Sequence, residues 1–205
     1  MTPEKIKPRW VFRGASSEEK VAVPDFFNLN NIPEGTARIM MRRGISTEEK
    51  LTHFLYDTLD NLSDPFLMKG MQQAVRRIIQ AIDLKEKIVI YGDYDVDGIT
   101  STSICVRCLR KLGADVNFYI PLREEEGYGL NRDAINKLSK EGVSLLITVD
   151  CGISSADLVA EAPQSLDIIV TDHHQPPKVL PDCVAVLNPH QEDCCLLYTS
   201  DAADD

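Results

Sequence analysis

The chain has 205 residues, 43% of them hydrophobic and 26% charged, and a formal net charge of −10. This is enough apolar material for one core with an appendage, or for two small domains. No stretch approaches the roughly 20 apolar residues that cross a bilayer, and "MTPEKIKPRWVF" lacks the apolar segment of a secretory leader. The acidic balance argues against a simple basic nucleic-acid surface, but acids that hold divalent cations count as negative in such a tally and are neutralised in use.

Six cysteines are present: Cys105, Cys108, Cys151, Cys183, Cys194 and Cys195. Cys105 and Cys108 have CxxC spacing but fall inside an apparent helix, with no second pair to complete a zinc site. A reduced, cytoplasmic protein is the expectation.

Residues 1–30 show no regular pattern. From Ser46 to Asp83 the sequence is helical in character. Ser46 followed by Glu49 fits a capping box, and Ser63 and Asp64 before Pro65 read as a second helix start. Leu67, Met71, Ala74, Ile78 and Ala81 then form one apolar stripe. Residues 1–84 are expected to make an N-terminal arm, irregular and then helical.

From Lys87 the pattern changes. Runs rich in β-formers recur as "KIVIY" (87–91), "VNFYI" (116–120), "LLITVD" (145–150), "DIIVTD" (167–172) and "VAVLNP" (184–189). Helical segments lie between them: "GITSTSICVRCLRKLGA", "NRDAINKLSKEG" and "SSADLVAEA". Strand–helix alternation with nearly wholly apolar strands predicts an α/β fold with a parallel sheet flanked by helices. Ligands of such sheets bind beyond the carboxyl ends of the strands.

Three of those ends carry acids or histidines. Asp93, Asp95 and Asp97 follow the first strand, at alternate positions that an extended chain would turn to one side. Asp150 ends another, and Asp172, His173 and His174 end a third. A sheet has no structural need for acids there, and cations compensate clustered carboxylates. Oxygen ligands with an imidazole suit Mn²⁺ or Mg²⁺. Gly98 and Gly152, where strands turn into helices, would leave backbone N–H groups facing a phosphate. A receiver-type phosphoacceptor domain also puts acids at strand ends, but it needs no histidine pair.

The segments "GDYDVDG", "TVDCGIS" and "TDHH" resemble the first three motifs of the DHH phosphoesterase superfamily. From about Trp10 to Asp193 the chain is similar to the N-terminal part of the RecJ family of single-strand-specific 5′→3′ DNA exonucleases. "RRGI" (42–45), "DPFLMKGMQQAVRRIIQAI" (64–82), "EEGYGLN" (125–131) and "VLNPHQ" (186–191) carry that narrower likeness. The resemblance implies a two-ion Mn²⁺ or Mg²⁺ site with Asp95, Asp97, Asp150 and His173 as ligands, Asp150 bridging. Asp93 would be a further ligand or a supporting acid, His174 would contact the scissile phosphate, and Asp172 would orient an imidazole. Arg123, Tyr128 and Asn131 are weaker candidates for substrate contact, with a loop and helix-cap role as the alternative. Tyr91 stands near the place where many superfamily members have a histidine ligand. The implied setting is DNA repair and recombination, on single-stranded DNA, by a monomer working with a helicase and a single-strand-binding protein. Other DHH phosphoesterases, acting on short oligonucleotides, cyclic dinucleotides or pyrophosphate, and a non-catalytic DHH-type scaffold are the alternatives.

The family continues with a fourth motif that adds an aspartate ligand, and with further domains. This chain ends "CCLLYTSDAADD", which reads as translated adapter sequence. The expectation is therefore a C-terminally truncated DHH domain at 85–193, a non-native disordered tail at 194–205, and an inactive fragment.

Overall fold

A computed structural model gives the fold, and it describes residues 22–122 and 129–198. The chain divides into two compact units, Met1–Asn61 and Leu62–Asp205.

The first unit holds α1 (Asp25–Leu29), α2 (Glu34–Arg42) and α3 (Glu48–Tyr56). Phe27, Ala37, Met40 and Leu51 form its small buried core. Sequence reasoning missed α1 and α2, which follow the extended residues Pro24 and Pro33. The cap of α3 lies one residue later than expected: Thr47 Oγ1, rather than Ser46, accepts from Lys50 N at 3.2 Å.

In the second unit, Asp64 caps only a 3₁₀ turn at Pro65–Leu67, accepting from Phe66 N at 2.9 Å. The helix itself, α4 (Met71–Asp83), starts after Gly70. Its Ala74 and Ala81 are buried in the same cluster as the strands, so α4 is part of the sheet domain. The boundary falls at 61/62 instead of 84/85.

The remaining elements alternate as the apolar runs predict: β1 (Lys87–Gly92), α5 (Val96–Lys111), β2 (Asp115–Tyr119), α6 (Arg132–Lys140), β3 (Val143–Val149), α7 (Ala156–Ala160), β4 (Asp167–Thr171), β5 (Ala185–Leu187) and α8 (Cys195–Tyr198). The five strands form one sheet in the order β2-β1-β3-β4-β5, and every pairing is parallel. Ile88, Ile90, Leu145, Ile147 and Ile169 bury one face with α4 and α5. Val89, Tyr91, Leu146, Ile168 and Val170 bury the other with α6 and α7. Each such side chain contributes roughly 1.5–3 kcal/mol by leaving water, and burial on both faces explains why the strands read as continuous apolar runs.

At the opposite edge from the strand carboxyl ends, Arg77 of α4 donates through Nε to Asp167 Oδ2 at 2.5 Å and through Nη2 to Glu86 Oε2 at 2.6 Å. This pair of bonds ties the helix to the start of β4 and the entry to β1. Beyond Asp193, Cys194 is buried and α8 makes one helical turn. The order expected to end at 193 therefore continues to Tyr198.

Candidate metal centre at the carboxyl edge of the sheet

The strand order makes β1, β3 and β4 direct neighbours. Because β1 connects to β2 on one side while β3 lies on its other side, the crevice above β1 and β3 is the topological switch point, where ligands of open α/β sheets bind. The motif residues converge there. Asp97, Ser101, Asp150, Asp172 and His173 line an open cleft of about 330 Å³.

The three acids after β1 do not share one extended face, as their alternation suggests. The strand stops at Gly92, and the chain turns at once into α5. Asp93 is buried, at 1% exposure. Its Oδ1 accepts from Tyr94 N at 2.7 Å, while its Oδ2 has no hydrogen-bond partner. Asp95 is the N-cap of α5, accepting from Gly98 N at 2.9 Å, and Asp97 lies in that helix's first turn. Gly98 N–H is thereby engaged and does not face a phosphate. Gly98 serves close packing instead: a Cβ there would meet Asp93 O at 2.4 Å and Asp93 N at 2.6 Å.

Asp150 follows β3 with φ 62, a left-handed conformation that Asp and Asn tolerate better than most residues. Thr148 closes the turn, its Oγ1 donating to Cys151 O at 2.7 Å. Gly152, at φ 104, packs with its Cα side toward Thr148. Asp150 is 8% exposed. Its Oδ1 lies 2.9 Å from His173 Nε2 yet accepts no hydrogen bond. Burial pushes the Asp150 carboxyl above its ordinary value, and the Asp95 charge adds to that rise while His173 opposes it. Asp95, held by the Gly98 N–H, is lowered.

Past β4, the Asp172 carboxylate is almost fully enclosed and fully used. Oδ2 accepts from Ile153 N at 3.0 Å, and Oδ1 accepts from His174 N at 2.9 Å. The same Oδ1 lies 2.7 Å from His174 Nδ1. This bond to Asp172 raises the imidazole's affinity for a proton. The two histidine rings stand 4.6 Å apart, centroid to centroid. Asp150, His173 and His174 each offer a ligand atom within 4.8 Å of the others.

These residues fit a divalent cation. Two buried carboxylate oxygens, Asp93 Oδ2 and Asp150 Oδ1, have no hydrogen-bond partner, and such groups are costly unless compensated. The donor set of oxygens and imidazole is that of Mn²⁺ or Mg²⁺. Cys151 adds no thiolate, because its buried Sγ points at Tyr91 O, 3.8 Å away.

Tyr91 points the other way, into the core beneath α6. Its hydroxyl donates to Gly129 O at 2.9 Å and accepts from Asn131 Nδ2 at 3.1 Å. Asn131 Oδ1 caps α6 by accepting from Ala134 N at 2.7 Å, so its side chain has structural work at both ends. Arg123 and Tyr128 lie outside the described residues. Two residues near the site, Ser101 on the cleft wall and the buried Asn188, were not singled out by sequence. Ser101 sits four residues after Asp97 and so on the same face of α5, a spacing that would have found it. Asn188 is buried beside the histidine loop; it lies in the quoted "VLNPHQ" segment, but that segment alone does not tell what the side chain contacts.

A family model, "DHH family, N-terminal domain", matches residues 87–203, ten residues beyond the point where the motif likeness ended. The chain is 42% identical over 189 residues to the single-stranded-DNA-specific exonuclease RecJ of Bacillus subtilis, covering 92% of this chain and 24% of that protein. It is 43% identical over 139 residues to RecJ of Haemophilus influenzae, covering 67% of this chain and 24% of that protein. The chain thus spans about a quarter of the length of these relatives. Among solved structures, RecJ of Thermus thermophilus in complex with Mn²⁺ superposes with a TM-score of 0.59 at 27% identity, covering 84% of this chain and 25% of that one. An exonuclease RecJ bound to manganese gives 0.55 at 35% identity, covering 63% of this chain and 36% of the other. With the family match spanning more than half of its 205 residues, and its three motifs meeting over adjacent strand ends, the chain belongs to the DHH family.

Proposed function

We propose that this chain forms the metal-holding part of a Mn²⁺- or Mg²⁺-dependent, single-strand-specific 5′→3′ DNA exonuclease. The observation that carries this reading is the meeting of Asp150, His173 and His174, whose ligand atoms lie within 4.8 Å of one another, with the buried Asp150 Oδ1 accepting no hydrogen bond. The relatives named as single-stranded-DNA-specific exonucleases supply the substrate class.

Asp93, Asp95, Asp97, Asp150 and His173 would hold the ions. A pair of such ions supplies an activated water and offsets the negative charge that develops at phosphorus. The protein's own part is positional. Asp172 holds the His174 ring by Nδ1 and its N–H by the same oxygen, which presents that imidazole to the scissile phosphate. The Asp95–Gly98 cap fixes the start of α5, and thereby Asp97 and Ser101 on the cleft wall. Gly152, at φ 104, lets the chain after Asp150 turn tightly against Thr148 and Val170. The setting proposed is cytoplasmic DNA repair and recombination, by a monomer alongside a helicase and a single-strand-binding protein.

The test is to exchange this chain for the matching quarter of the Bacillus subtilis relative and follow release of 5′-labelled mononucleotides. The hybrid is expected to degrade single strands and spare duplex, and Asp150→Asn within it to abolish release. A folded hybrid no more active than its Asp150→Asn form would overturn the proposal.

A further inference from the structure

Asn188 has no solvent exposure, and both ends of its amide are used. Nδ2 donates to His174 O at 2.8 Å, and Oδ1 accepts from His190 N at 2.8 Å. The β4–β5 ladder ends nearby, with Asp172 N donating to Leu187 O at 3.0 Å. Past that bond the two chains part, and the Asn188 amide is the next link between them. Gln191 braces the same turn, its Nε2 donating to Val186 O at 2.8 Å and Asn188 O at 3.3 Å.

His174 is therefore gripped from two sides. Asp172 takes its N–H and meets its ring, while Asn188 takes its carbonyl. An apolar side chain would fill a buried position at less cost than an amide, which must find partners for every polar atom. The side chain's contact outside its own turn is the histidine loop.

We infer that Asn188 is a positioning residue for the His173–His174 pair. Acting through the main chain, it sets the path of the loop after β4 and hence where both imidazoles stand relative to Asp150. It touches neither ion nor substrate. This inference rests on the reading of that cluster as a divalent-metal site.

The experiment is Mn²⁺ titration by calorimetry of the whole chain in five forms: wild type, Asp150→Asn, Asn188→Ala, Asn188→Asp and Arg77→Met, each with a thermal melt. Asn188→Asp keeps an acceptor for His190 N–H, loses the donor to His174 O, and adds a charge that by itself favours cations. Arg77→Met is the stability control, because its ion pairs lie at the far end of the strands. Both Asn188 variants are expected to bind Mn²⁺ about tenfold or more weakly, the scale seen when supports of metal ligands are removed. Arg77→Met is expected to melt earlier yet bind as wild type does. If Asn188→Ala fails to fold, Asn188→Asp decides alone. Asn188 variants that bind like wild type, while Asp150→Asn does not bind, overturn the positioning role and leave the metal reading intact. Equal weakening in Arg77→Met also overturns it, since affinity would then follow stability. A wild type that binds no Mn²⁺ overturns both.

Discussion

Asp150 Oδ1 stands 2.9 Å from His173 Nε2, although the two residues leave different strands and are 5% and 62% exposed along their side chains. The acid is buried where β3 ends, and the imidazole reaches over it from the end of β4. A buried carboxylate oxygen that faces a histidine without a hydrogen bond is costly in a metal-free protein. A divalent cation held by these residues would offset that cost.

That cost gives a stability prediction. Asp150→Asn keeps the shape, suits the left-handed backbone, and removes a charge that burial and Asp95 both oppose. A gain of about 1 kcal/mol corresponds to roughly 2–4 °C in a chain of this size. The metal-free variant is expected to melt higher than metal-free wild type by that amount. Mn²⁺ should raise the melting temperature of wild type only, since stabilisation follows binding to the native state. A metal-free variant that melts below wild type contradicts this account of Asp150.

Gly98→Ala tests the close approach of α5 to the end of β1. The new Cβ would meet backbone atoms of Asp93 at 2.4–2.7 Å, which no rotamer change relieves. Overpacking costs typically 1–3 kcal/mol, and backbone clashes belong at the upper end. A loss of about 3 kcal/mol in urea unfolding is expected, together with loss of Mn²⁺ binding. Wild-type stability in the variant would show that the helix start is not locked this way.

Cysteine reactivity separates the buried thiol beside the site from the exposed ones. Burial pushes the Cys151 thiol far up, and neighbouring carboxylates add to the shift. With the thiolate suppressed and access closed, iodoacetamide followed by peptide mass mapping should label Cys108 and Cys195, both exposed, and leave Cys151 unmodified in the native chain. Rapid labelling of Cys151 would contradict the placement of its side chain in the core.

Arg77→Met removes one cation from two acids at once. Breaking a fully buried pair costs roughly 3–5 kcal/mol. Here the Asp167 side chain is 46% exposed and Glu86 22%, so water recovers part of the loss. About 2 kcal/mol is expected from chemical denaturation, and an effect below about 0.5 kcal/mol would reduce the network to a surface feature.

The sheet was readable because strands buried on both faces must be apolar along their length, as "KIVIY" and "LLITV" are. The motif acids at strand ends were readable for the complementary reason, since polarity in that position has no packing role. What escaped is local geometry that depends on where a helix begins. Alternation suggested one face for Asp93, Asp95 and Asp97, but α5 starts at Val96, so one acid is buried, one caps the helix and one lies in its first turn. The same start consumes the Gly98 N–H. Placing α4 in the arm failed because its stripe is built on Ala74 and Ala81, small residues whose pattern does not tell which surface they approach. Asn188 was hidden for a further reason: its partner, His174 O, is brought to it by tertiary structure alone.

The measurement that bears most directly on the central claim is calorimetric Mn²⁺ titration of wild type beside Asp150→Asn. Saturable binding by wild type and none by the folded variant is the expected result. Indistinguishable titrations from two folded samples would contradict the assignment of the β1, β3 and β4 ends as a metal centre.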